Sequence, residues 1–141
     1  GEDCHAVVET MRGHTHGRVI YSGSALPNTN IPGLIGGFAG ERVLRARCDG
    51  ICTAAPRIGD TAEEGETIGF VEGQPMKCTI SGVLRGVLDD GVPVKKGMKS
   101  GDVDPRSKPE YCTTISDKAL AVGGGVVEAV LYLSAKQQGR R

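Results

Sequence analysis

Residues 50–101 repeat themselves, and this duplication constrains the fold more than any other feature of the chain. Gly50, Gly59 and Gly65 recur 32 positions later as Gly82, Gly91 and Gly97, in the shared frame G-x8-G-x5-G. The copies read DGICTAAPRIGDTAEEGETIG and SGVLRGVLDDGVPVKKGMKSG. Glycine at these points lets the backbone take positive φ in tight turns, and Asp60, Asp89 and Asp90 are placed to hydrogen-bond neighbouring amides. Each copy therefore reads as strand, turn, strand. Two copies are too few for a solenoid, so they are expected to clasp each other as pseudo-symmetric halves of a flattened barrel.

The flanking sequence extends this pattern. Arg42–Arg47 (RVLRAR) and Thr67–Glu72 (TIGFVE) alternate or run apolar as half-buried strands do, and Gly73-Gln74-Pro75 breaks the second at a hairpin turn. Arg18–Tyr21 is a short β-like run, and Ser22–Gly40, rich in Gly, Pro and Asn, reads as a long ordered loop. Cys4–Arg12 reads as helix-like. Ser116 is a credible N-cap for a helix over Asp117–Lys136, in which Gly123-Gly124-Gly125 either breaks the segment or permits close backbone packing. The expected division is an N-terminal segment over 1–40, a two-fold-repeat β module over 41–106, and a linker with C-terminal helix over 107–141. An opening without an initiator Met suggests a piece of a longer protein.

Composition removes several function classes. Lys plus Arg and Asp plus Glu number 17 each, so no bulk charge draws the chain to nucleic acid or an anionic membrane, and neither partner is expected. An uninterrupted apolar run of membrane-spanning length is not evident, and a cytoplasmic location is the expectation. Five cysteines, an odd number scattered along the chain, favour reduced thiols over a disulfide framework. Cys48 and Cys52 lack a second ligand pair downstream, and no metal centre is expected.

Three clusters bear on chemistry. His14 and His16 alternate in RGHTHGR and would share one face of an extended segment, where Arg12 or Arg18 beside them favours an anion over a cation. Gly97–Arg106 packs Lys99, Asp102, Asp104 and Arg106 into what reads as a turn-rich segment with its charged heads toward solvent or a partner. It holds no nucleophile and base in a recognised order, so no catalytic residue is assigned and enzymatic activity is left open. Pro75-Met76-Lys77-Cys78 resembles the modified lysine motif of biotinyl domains. Lys77 precedes Gly82 by only five residues, however, and the turn falls before it, which places Lys77 in the returning strand.

With that motif, the repeat resembles the biotinyl/lipoyl-like barrel-sandwich hybrid, implying a mainly β fold with an extended N-terminal segment and a C-terminal helix. Longer phrases carry a second resemblance: VVETMRGHTHGRVIYSGSALPNTNIPGLIGG, CDGICTAAPRIGDTAEEGETIGFVEG, ISGVLRG with VKKGMKSGDVDPR, and SDKALAVGGGVVEAVL. In this order they resemble the C-terminal region of the selenium-dependent molybdenum hydroxylase accessory proteins. That resemblance implies a bacterial cytoplasmic protein with a further nucleotide-fold-like part, acting in the maturation of molybdenum hydroxylases. Its implied partners are hydroxylase subunits or maturation proteins, with a homo-oligomer possible. Its implied ligands are the molybdenum cofactor or a selenium species, held non-covalently. The phrases place His14, His16, Arg18, Asn28, Lys99, Asp102, Asp104 and Arg106 on the expected binding surface, with Asp104 and Arg106 expected to be replaceable without unfolding. Two other readings stand beside it: a carrier domain modified on Lys77, and a structural or dimerising domain.

Overall fold

The computed structural model describes residues 2–29, 31–54 and 56–139, which divide into two compact units, one of 1–30 with 115–141 and one of 31–114. The chain is mainly β with one C-terminal helix. This division differs from the expected three segments, because both ends of the chain belong to one unit.

Within 31–114 eight strands form two antiparallel four-stranded sheets. Chain order gives β3 (Val43–Arg45), β4 (Gly50–Ala54), β5 (Thr61–Ala62), β6 (Thr67–Val71), β7 (Gln74–Lys77), β8 (Gly82–Val87), β9 (Pro93–Val94) and β10 (Lys99–Asp104). One sheet is ordered β3-β10-β8-β5 and the other β7-β6-β4-β9, each open with two edge strands rather than closed into a barrel. Adding 32 to the residues of β4, β5 and β6 lands on β8, β9 and β10, and adding it to β3 lands on β7. The repeat thus reaches one strand further upstream than the glycine frame indicates.

The pairing obeys the same shift. Cys52 pairs with Val71 as Leu84 pairs with Val103, and Gly50 with Val94 as Gly82 with Ala62. Each copy therefore lends its short strand to the other's sheet. Main-chain bonds repeat the exchange: Gly59 N donates to Leu84 O as Gly91 N does to Cys52 O, and Gly65 N to Cys78 O as Gly97 N does to Ala46 O. Side chains of both sheets meet in one core of Leu44, Cys52, Ile68, Val71, Met76, Leu84 and Val103, among others. Close packing over so small an apolar set leaves neither copy able to bury its inner face alone. Burial pushes the thiols of Cys52 and Cys78 above the usual range, so both are inert apolar fillers.

In the other unit, β1 (Val7–Val8) pairs antiparallel with β2 (Val19–Ile20). This corrects the helix-like reading of Cys4–Arg12: two consecutive β-branched valines favour extended backbone, and the partner strand that satisfies them lies eleven or more residues on. The buried Glu9 carboxylate accepts from Met11 N at 2.7 Å and from Leu26 N at 2.9 Å, fixing the loop after β2 to the hairpin. These backbone donors, Leu26 first, hold its carboxyl below the usual range. Helix α1 (Asp117–Gln138) begins where expected, with Ser116 Oγ accepting from Ala119 N at 3.1 Å, and it runs unbroken through the three glycines. A Cβ at Gly125 would collide with the Gly17 carbonyl oxygen, so the helix and the hairpin turn touch backbone to backbone. Arg12 clamps Asp117 at 2.7 and 3.1 Å, holding that carboxyl well below the usual range, and the rings of Tyr21 and Tyr132 pack tilted by 46° with centroids 4.5 Å apart. By length and composition α1 lies in a helical stretch apolar enough to cross a membrane, with a mean hydropathy of 1.4 over 18 residues.

Candidate functional site

The charged residues of the second copy converge on the sheet β3-β10-β8-β5. The stretch Gly97–Arg106, read above as turn-rich, contains the interior strand β10, paired on both sides. In a strand flanked by two others, alternate side chains face opposite ways, so Val103 enters the core while Asp104 turns to the other face. Both are buried, Val103 at 0 % exposure and Asp104 at 1 %.

A carboxylate so placed needs charged donors. Arg106 supplies them from two residues on: Nε to Oδ1 at 2.9 Å and an Nη to Oδ2 at 2.6 Å, with its backbone N also donating to Oδ1 at 3.1 Å. Arg85 adds a third side-chain donor at 3.2 Å. Hydrogen bonding from the Arg106 guanidinium holds the Asp104 carboxyl down at about 2, against the opposing effect of burial. The planar guanidinium of Arg106 also lies 4.5 Å over the Tyr111 ring, with the Lys108 ammonium 5.4 Å from the same ring. Two fixed contacts, one to a carboxylate and one to an aromatic face, preset the orientation of Arg106.

Arg85 reaches Asp104 through a local irregularity. Val103 pairs with Leu84 but Asp102 pairs with Gly86, so Arg85 is the extra residue of a β-bulge in β8. Bulges re-aim side chains, and this one has no counterpart between β4 and β6, where Cys52, Thr53 and Ala54 pair in unbroken register. Beside it, Asp102 faces the buried Arg42 at 3.4 Å and Lys99 at 3.6 Å. Arg42 makes long contacts only, the other being to Gly33 O at 3.4 Å, and its buried Nε has no partner. Four cations thus surround two carboxylates, a local excess of two positive charges in a chain that is neutral overall.

Lys99, Asp102, Asp104 and Arg106 are therefore brought together as the sequence suggests, but Asp104 is a buried anchor rather than a solvent-facing head. The expectation that Asp104 can be replaced without unfolding is at odds with this burial. Arg42, Arg85 and Tyr111 were missed, since they join through strand pairing or a following turn and no local motif marks them. The remaining four residues belong to the other unit. His14 and His16 lie in a turn closed by His16 N to Gly13 O at 3.2 Å and Arg18 N to Thr15 O at 3.0 Å, not in the extended segment that would align them. His14 and Arg18 are exposed, His16 is half-buried with Nε2 unpartnered, and Asn28 is exposed in the loop after β2. Among the described residues no three His, Cys, Asp or Glu side chains gather as metal ligands do.

Lys77 ends β7, exposed and paired with Thr67, while the tip of the β6–β7 hairpin is Glu72-Gly73, both at positive φ. The Gly-rich IPGLIGGFAG holds a tight turn, in which Ile35 and Phe38 exchange both backbone hydrogen bonds and Gly36 sits against Pro105.

No family model and no solved structure matches the chain. It is similar to the uncharacterized protein YqeB of Escherichia coli (strain K12), with 47 % identity over 133 residues, which cover 94 % of this chain and 25 % of that protein. The chain thus spans about a quarter of the length of the curated relative it matches.

Proposed function

We propose that residues 31–114 form a barrel-sandwich hybrid of the biotinyl/lipoyl-like kind, adapted to holding an anionic ligand or partner instead of carrying a swinging arm. We place the chain as a non-catalytic accessory module in the cytoplasmic maturation of a selenium-dependent molybdenum hydroxylase. The exchange of short strands between two copies supports the architecture. The sequence phrases that resemble the accessory proteins support the pathway.

One observation carries the binding role: the excess positive charge built around Asp102 and Asp104. Arg106 is held by a buried carboxylate and an aromatic ring, so little side-chain freedom remains to be lost when an anion arrives. Phosphate-bearing molybdenum cofactor and an acidic surface of a hydroxylase subunit both fit that chemistry.

The test is affinity capture of the chain from the cytoplasm of its own host, with co-purifying proteins identified and bound molybdenum and selenium quantified in the same eluate. The same capture is repeated with Lys99→Ala combined with Arg106→Met, a pair that leaves the Arg85–Asp104 contact in place. The wild-type chain retains a hydroxylase subunit or metal and the folded variant loses it. Equal recovery by both, or none by the wild type, counts against the reading.

A further inference from the structure

The exposed side of α1 is apolar, the reverse of an ordinary surface helix. Turning about 100° per residue, the half of the helix opposite Gly125 carries Leu120, Val126, Val127, Val130 and Leu131 and no charged side chain. These five are 48–69 % exposed, whereas Gly125 and Ala129, on the side toward the hairpin, are the buried residues. Asp117, Lys118, Glu128 and Lys136 all fall on the half toward Gly125 or at its edges. Water therefore meets the apolar face and the charges flank the packed one.

The spacing along this face is specific. Leu120, Gly123, Val127 and Val130 follow one another at steps of three, four and three, a short a/d-like line of three apolar side chains around one glycine along which a second helix can pack. Gly123 and Gly124 point into open space, with nothing within 4 Å of a Cβ built on either. Glycine is a poor helix former and offers a lipid chain almost no surface, but it lets a second backbone approach closely. Such a seam with an open glycine is thus a fit for another helix, not for lipid.

We propose that this face pairs with the same face of a second copy of the chain. The seam bears no charge, so two copies meet without repulsion and without burying an unpaired ion. At 22 residues α1 is about 33 Å long, and two such faces about 10 Å wide have a flat footprint of about 660 Å², which the relief of the side chains raises toward the roughly 1,000 Å² of accessible surface of a weak specific interface.

Sedimentation analysis of the 141-residue chain over about a hundredfold concentration range reads the association directly. The expected result is a reversible change from 14.7 kDa to twice that mass. Val127→Glu is expected to hold the chain monomeric. Gly123→Leu is the decisive variant: it improves helix propensity and adds apolar surface, yet is expected to weaken the pair at least tenfold by blocking backbone approach. Tighter association by Gly123→Leu overturns the proposal, since indiscriminate stickiness grows with apolar area. So does a chain that is monomeric throughout, as it would be were the face the seat of a further part of a longer chain. Monomers that float with phosphatidylethanolamine–phosphatidylglycerol vesicles also overturn it, in favour of a lipid surface.

Discussion

The two copies of the repeat share a backbone and differ in their chemistry. Strand for strand, and in the main-chain bonds that swap the short strands, residues 43–72 correspond to residues 75–104, apart from the bulge at Arg85. On the side away from the core the correspondence fails: Thr53, Phe70, Glu72 and Gln74 of the first copy stand where the second has Arg85, Asp102, Asp104 and Arg106. Glu72 is exposed, and Oε1 accepts a single bond from Ile51 N, whereas Asp104 is buried among arginines. Duplication supplied a scaffold twice, and only one sheet acquired a charged cluster and the bulge that aims Arg85 into it. A position retained in both copies reports on folding; one that differs is where binding is to be sought.

The widest gap between the copies is expected at this pair. Asp104→Ala removes a buried acceptor from Arg85 and Arg106, whose side chains still reach water, and should cost about 2 to 3 kcal/mol of stability in urea unfolding. Glu72→Ala removes one bond at an exposed turn and should cost under about 1 kcal/mol. Equal losses would mean that the ionic cluster is an ornament of the sheet and not its anchor.

Positions shared by both copies should behave alike, and Gly69 and Gly101 are such a pair. A Cβ at Gly69 collides with the Thr53 carbonyl, and one at Gly101 comes within 2.9 Å of Gly86 O. Alanine at either is expected to cost about 2 to 3 kcal/mol, with Gly69 the worse. A neutral Gly101→Ala would show that the bulge has loosened the second sheet enough to break the symmetry of the core as well.

Acid should separate the copies next. The Asp104 carboxyl sits at about 2 in the fold against 3.8 ordinarily, so the stabilisation it gives is complete above pH 4 and is lost as the pH falls from there through 2. That shift is worth about 2 kcal/mol. Stability curves measured between pH 5 and pH 2 should fall less steeply for Asp104→Asn than for the wild type. Parallel curves would place the acid sensitivity elsewhere.

What could be read from the sequence follows the reach of each interaction. The repeat was legible because glycines at positive φ mark turns wherever they occur, and Ser116 was legible because an N-cap acts within three residues. Lys99, Asp102, Asp104 and Arg106 were found as a local run. Arg42 and Arg85 were not, since Arg42 meets Asp102 across 60 residues and the bulge at Arg85 exists only through β10. The same limit explains the misread N-terminus. Val7-Val8 becomes a strand only beside Val19-Ile20, and the unit closes through Arg12 and Asp117, 105 residues apart.

The smallest expected effect is the sharpest test of whether the second copy's charges serve binding. Lys99 is half-exposed, stands 3.6 Å from Asp102, and corresponds to Thr67 in the first copy. An exposed ion pair of that length contributes roughly 0 to 1 kcal/mol, so Lys99→Thr, which copies the first half into the second, should leave unfolding within about 0.5 kcal/mol of the wild type. If the positive excess exists for an anion, the same change lowers affinity for inorganic pyrophosphate, measured by calorimetry at low salt, about threefold or more. A variant that matches the wild type in both respects would leave the cluster a structural ion network, and the difference between the copies would then concern stability alone.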